Sequence, residues 1–277
     1  MLVTRHTEAC SVLADSRYVP PPVRQGAPVG TLAWLRALVS RFSTGEVHAD
    51  RRATLTALLA ELAGPDVARL RAGARRLTLE RRGDWRGVPT AVLGEALGFP
   101  EIDRLVEAVR AAAPGYLSGE ESADADAAVT ELVKLAGQGS WQGSWQGSED
   151  DGIARITLLL QAHAAVEGLV ANALAHATPG VPVDDLLHET LRHDPPLKVT
   201  RRVDRETGDE VGIDLVTVNR DPDVFAAPDR FDAARGETPH LTFGAGLRPC
   251  PAARHALALA AGVLDALAGT SASGEGR

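Results

Sequence analysis

A mainly α-helical fold with a small β portion is what the sequence predicts, and three observations predict it. Aromatic residues make up only 4% of the chain against 44% hydrophobic residues, so the core must come from many small aliphatic contacts of the kind packed helices supply. Apolar residues recur at helical spacing in one segment after another, most of them ended by Gly or Pro. Strand-like runs are short and few, confined to "LVT" at the start and to "LKVTRRV" and "DLVTV" after residue 196.

The elements follow in order. "LVTRHTEACSVLADSR" reads as a short strand, Leu2 to Thr4, then an amphipathic helix with Val12 and Leu13 facing inward, stopped by "VPPPV". A helix is predicted from His48 to Leu62, ended by Gly64-Pro65, and others in "DVARLRAGARRLTLERR", "PTAVLGEALG", "EIDRLVEAVRAAA" and "AAVTELVKLA". The repeated "QGSWQGSWQGSEDDG" is polar and Gly-rich, which predicts a flexible loop at about 137–151. An apolar helix from about Ile153 to Ala177 comes next, then a short helix in "VDDLLHETLRHD" stopped by Pro195-Pro196. A last helix follows Cys250. The expected organisation is a single domain over 1–268 with a disordered tail at 269–277.

Composition narrows the function classes. A formal charge of −8 and the lack of a long Lys/Arg run disfavour nucleic acid, whose phosphates call for a basic face, and leave a small organic substrate as the better fit. The apolar helix is interrupted by Gln161, His163 and Glu167, which suits a buried helix rather than a membrane span. The first residues lack the pattern of a secretory signal, so the expected location is the cytoplasm. The two cysteines, Cys10 and Cys250, are expected to stay unlinked in a reducing compartment.

Cys250 sits where a thiol has work to do. It follows the turn "FGAGLRP" and precedes Pro251, a residue suited to the first helical position, so the sulfur is expected at a helix N-terminus that favours thiolate, a ready metal ligand. Gly244 and Gly246 allow a flat ligand close to the backbone, and Arg248 can reach an anionic group on it. An isolated cysteine in such a place would read as a structural one.

The run from Phe243 through Gly246 to Cys250 is the F-x-x-G-x-x-x-C pattern and resembles the heme-binding signature of the cytochrome P450 family. "ETLR", "HDPP", "NRDPDVFAAPDRFD", "VPTAVLGEALGFPEID" and "LVTRHTEACSVLAD" are similar to stretches of its bacterial members, in the family's order. The resemblance implies a shortened P450-like heme domain, with Cys250 as the axial ligand of the iron of heme b. It further implies that His48, Arg52, Arg202 and Arg248 hold the heme propionates, with Phe243 and Gly246 shaping the site. Glu189, Arg192 and Arg230 become a structural ion-pair group that fixes the cysteine loop.

The sequence departs from the family on the oxygen side. Aligning "GLVANAL" places Ala164 and Ala165 at the positions of the acid and alcohol that deliver protons, with Gln161 one turn earlier. At helical spacing, Gln161, Ala164, Ala165 and Gly168 share one face, while His163 reads as structural. Segments between the apolar helix and "ETLR", and before "NRDP", are shorter than in the family, which implies an open pocket or a partner protein covering it. Two functions follow. One is a monooxygenase-like oxidoreductase fed by a ferredoxin and its reductase, or with the relay gone, peroxide-driven or redox-neutral heme chemistry. The other is a non-catalytic auxiliary that stabilises a partner enzyme such as a glycosyltransferase.

Overall fold

The computed structural model describes residues 1–63, 67–138 and 149–272. In chain order the elements are β1 (Leu2–Val3), α1 (His6–Ala14), β2 (Tyr18–Val19), α2 (Leu32–Leu38), α3 (Gly45–Ala63), α4 (Ala68–Glu80), α5 (Val88–Ala96) and α6 (Ile102–Ser118). They continue with α7 (Ala123–Gln138), α8 (Glu149–His176), α9 (Val183–His193), β3 (Val199–Asp204), β4 (Glu210–Asp214), α10 (Leu215–Val218) and α11 (Ala253–Ala272). The mainly helical expectation holds, and the β portion is one four-stranded sheet in the order β1-β4-β3-β2.

The chain divides into two compact units. One comprises Met1–Pro21 with Gly168–Ala253, the other Pro22–Glu167 with Arg254–Arg277. In the first unit β1 pairs parallel with β4, while β4 with β3 and β3 with β2 are antiparallel, with Arg202 opposite Val211. One core cluster welds this sheet to α1: Val3, Ala9, Val12 and Leu13 meet Val211, Ile213, Leu215 and Leu241. The inward faces of Val12 and Leu13 are thus as their spacing predicts.

In the second unit the helices present apolar stripes at helical spacing. On α4 the buried positions are Leu70, Ala74 and Thr78, and on α6 they run Leu105, Val109, Ala112 and Tyr116, one continuous face. That stripe carries α6 through Pro114 to Ser118, past the end expected at residue 113, because burying Tyr116 outweighs the hydrogen bond that proline forgoes. Helix α2, which the sequence reading did not mark, has a side-chain cap: Thr31 Oγ1 accepts from Trp34 N at 3.2 Å.

Several boundaries differ from expectation for local reasons. "DLVTV" is not a strand: Asp214 caps a helical turn, its Oδ1 accepting from Val216 N at 3.0 Å and Thr217 N at 3.1 Å. The neighbouring strand is β4, just before it. Of the loop expected at 137–151, the edges belong to α7 and α8, and residues 139–148 lie outside the described residues. Of the tail expected at 269–277, residues 269–272 extend α11 and the rest lies outside the described residues. Part of α8, Asp151–His176, is long and apolar enough to cross a membrane, yet residues 153–160 are all buried within the protein.

Candidate heme-thiolate site

The thiol is presented by a loop pinned at three points. Leu241 anchors its start in the core, Leu247 N donates to Leu13 O at 3.1 Å, and Cys250 N donates to Phe243 O at 2.7 Å, folding the loop back on itself. Gly244 and Gly246 both have positive φ, +70° and +64°. At Gly246 a side chain is excluded twice over, since an added Cβ would run into the carbonyl of Leu13 and lie 2.8 Å from Ala14 Cα. Phe243 is half-buried and Cys250 exposed. Helix α11 starts at Ala253, later than Pro251 suggested, so a turn rather than the first helical residues holds the sulfur.

A buried polar network stands behind this loop. Arg192 and Glu189, 0% and 1% exposed, meet in a bidentate pair at 2.7 and 2.8 Å, the i, i+3 spacing of "ETLR" putting both on one face of α9. The remaining Arg192 donors go to three carbonyls, those of Asn219 (3.1 Å), Pro228 (2.8 Å) and Arg230 (3.0 Å). Asn219, fully buried, then receives Leu241 N on its Oδ1 at 2.7 Å and donates its Nδ2 to Thr242 Oγ1 at 2.9 Å. The ion pair is therefore wired to the first residues of the cysteine loop through one amide.

The third expected member of the group is not the one the sequence suggested. Arg230 contributes its carbonyl, while its side chain is 74% exposed and 3.9 Å from Asp232. The guanidinium beside Glu189 is that of Arg235, 16% exposed, with Nε 3.3 Å from Glu189 Oε1. The reason is the turn at Asp232, whose N–H donates to Glu189 Oε1 at 2.8 Å and whose carboxylate caps the next turn at Ala234 N, which carries Arg235 back toward the pair. The signal was present as "FDAAR", five residues beyond the arginine chosen.

His240, at the head of the loop, is pushed down to about 4 by burial, with His188 and Arg192 adding repulsion, so it stays neutral. Arg202 lies half-buried on β3, its Nη1 donating to Thr200 Oγ1 (3.2 Å) and to Arg201 O (2.8 Å). Arg248 is half-buried in the loop itself.

In the other unit His48 and Arg52 occupy successive turns of α3, both half-buried. On α8 the buried run ends at Leu160. Beyond it Gln161, Ala165 and Gly168 are half-buried and Ala164 exposed, while His163, Val166, Leu169 and Val170 stay buried. The four positions expected to share a face are all open, as are Ala162 and Glu167 beside them. Gln161 Nε2 donates to the hydroxyl of Tyr116 at 3.1 Å, a partner 45 positions away that helical spacing does not reveal. His163 turns to the opposite face, its Nδ1 2.9 Å from Thr90 Oγ1 and 3.7 Å from Glu167 Oε1, and burial lowers its pKa; it is a core residue.

These donors suit a heme. Within the unit that carries the loop, an exposed thiol on a turn, a glycine where any Cβ would collide, and the half-buried Arg202 and Arg248 are donors of the kind a thiolate-ligated porphyrin calls for. Among the described residues, no cluster of three or more His, Cys, Asp or Glu offers an alternative metal centre.

Comparison with known proteins agrees. No protein-family model matches the chain. It is 29% identical over 286 residues to cyclomarin C epoxidase CymV of Salinispora arenicola, covering 84% of this chain and 69% of that one. A shorter stretch is 38% identical over 74 residues to the biotin biosynthesis cytochrome P450 of Bacillus subtilis, 23% of this chain and 19% of that one. Among solved structures, CalO2 superposes with a TM-score of 0.78 at 21% identity, over 96% of this chain and 82% of the other. P450BioI, crystallised with an acyl carrier protein bearing hexadecenoic acid, gives 0.77 at 19% identity, over 96% and 84%. The chain thus has the fold of the cytochrome P450 structures, and its sequence is similar to bacterial members of that family.

Proposed function

We propose that the chain holds heme b through the thiolate of Cys250 and oxidises a small organic molecule of specialised metabolism in the bacterial cytoplasm. The observation that carries this reading is the cysteine loop, in which an exposed thiol is set by a turn only glycine can make and is braced by a buried ion pair. The Salinispora relative, named an epoxidase of cyclomarin C, supports oxygen insertion as the reaction class. When bound, the heme supplies the oxidising chemistry, made electron-rich by its thiolate.

The protein's own residues then have separable tasks. Arg248, Arg202, His48 and Arg52 neutralise the two propionates, because carboxylates leaving water need charged partners. Phe243 and the glycines shape the turn around the sulfur. Glu189, Arg192 and Arg235 hold the turn's base, an amended membership of the structural group. Ala164 and Ala165 carry no transferable proton, so protons come from water or substrate. That absence favours a second mode beside ferredoxin-supported monooxygenation, namely oxidation driven by peroxide, which brings its own protons.

Reduced protein under carbon monoxide provides the test. A red-shifted Soret band, lost in Cys250→Ala, is the expected result. A protein that takes up no heme after supplementation overturns the reading in favour of a non-catalytic auxiliary. Turnover with ferredoxin plus reductase set against turnover with peroxide then separates the two modes.

A further inference from the structure

We infer that Tyr116 and Gln161 form a positioning pair, in which a buried phenol fixes the one hydrogen-bonding side chain on the open stripe of α8 so that it addresses whatever is held there. This deepens the function proposed above and rests on α8 being the oxygen-side helix. Along the stripe the other positions are Ala164, Ala165 and Gly168, which offer only methyl groups and backbone. Gln161 is the exception, and it is tethered: its Nε2 donates to Tyr116 Oη at 3.1 Å.

Tyr116 is suited to act as the tether. It is 0% exposed, and burial pushes its hydroxyl up to about 12, so it stays neutral across the physiological range. A rigid ring with two torsions, continuing the buried stripe of α6 and lying against Phe42 with centroids 6.0 Å apart, has little freedom to follow a moving partner. A glutamine loses several rotamers when one end is fixed, a cost a ligand would otherwise meet on binding. One N–H and the carbonyl of the amide remain for a ligand.

A cavity opens next to the preceding turns of α8. One turn before Gln161, Thr157 lines a cavity of about 270 Å³, with Ile153 and Ala154 from α8 and Leu38, Ser40 and Val47 across it. That volume falls just under the roughly 300–1,000 Å³ typical of small-molecule pockets, and its walls mix aliphatic groups with hydroxyls and the charged Asp50 and Arg51.

The test uses the heme-loaded protein with carbon monoxide as probe, read by infrared spectroscopy of the C–O stretch beside the absorbance spectrum. In Gln161→Leu the stretch is expected to move. In Tyr116→Phe, which keeps the ring and removes the tether, the single band is expected to split or broaden. Glu107→Gln, on the exposed face of α6 and outside the cavity lining, should leave it in place. An unmoved band in Gln161→Leu overturns the inference, as does an unchanged single band in Tyr116→Phe. Carbon monoxide occupies the oxygen side whichever ligand stands opposite. A Soret band without the red shift would thus refute thiolate ligation while the infrared comparison still decided the role of Gln161.

Discussion

Behind the cysteine loop, Arg192 alone donates five hydrogen bonds, two to Glu189 and one each to three carbonyls, in a site shut off from solvent. On α8, the stripe from Gln161 to Gly168 carries one side-chain hydrogen bond, that to Tyr116, and is otherwise methyl groups and backbone. The first region keeps a demanding arrangement that makes sense only if the thiol must be held in place. On the function proposed above, the second offers no side-chain proton donor at Ala164 or Ala165. The difference teaches that bracing a thiol and lining an open helix face are separable demands, the first met by buried charge and the second by small side chains.

The comparison is most exposed at the sulfur. Cys250→Ala should abolish the red-shifted carbon monoxide band while leaving unfolding of the heme-free protein within about 0.5 kcal/mol of the parent, since the side chain is exposed. A large loss of stability would mean that the cysteine is a packing residue. Next in size is Arg192→Met, which takes the bidentate partner from a buried carboxylate and leaves it Arg235 and the Asp232 N–H. Urea unfolding should show a loss of about 3–5 kcal/mol, and a neutral outcome would demote the network to decoration.

Gly246→Ala forces a methyl into the carbonyl of Leu13 at a positive φ, with an expected cost of about 1–3 kcal/mol in the same measurement. The two arginines sharpen the picture further. Arg235→Ala should cost roughly 1 kcal/mol for its lost bonds, whereas Arg230→Ala, whose side chain is in solvent, should stay within about 0.5 kcal/mol. The reverse order would restore Arg230 to the ion-pair group.

The smallest effect concerns pH. His240 holds its proton less tightly when folded, its pKa pushed to about 4 from an ordinary 6.5, so between those values the unfolded chain binds more protons. Stability should fall as pH drops through that window and be indifferent to His240 above it. His240→Asn should flatten this part of the profile, and an unchanged slope would show that the imidazole is accessible to water.

Local chemistry determined a good deal by itself. The helical class, the inward faces of Val12 and Leu13, the Glu189–Arg192 spacing and the glycine-cysteine motif all follow from interactions between residues a few positions apart, where backbone periodicity fixes who meets whom. The fold alone decided that α6 runs through Pro114, that Arg235 rather than Arg230 reaches Glu189, that Asn219 joins the ion pair to the cysteine loop, and that Tyr116 tethers Gln161. Each of these depends on partners 22 to 46 positions apart or on burial of a distant face. Periodicity says which face of an element is apolar, but it is silent on which polar group arrives from elsewhere to satisfy a buried donor, and that choice is made only when the chain packs.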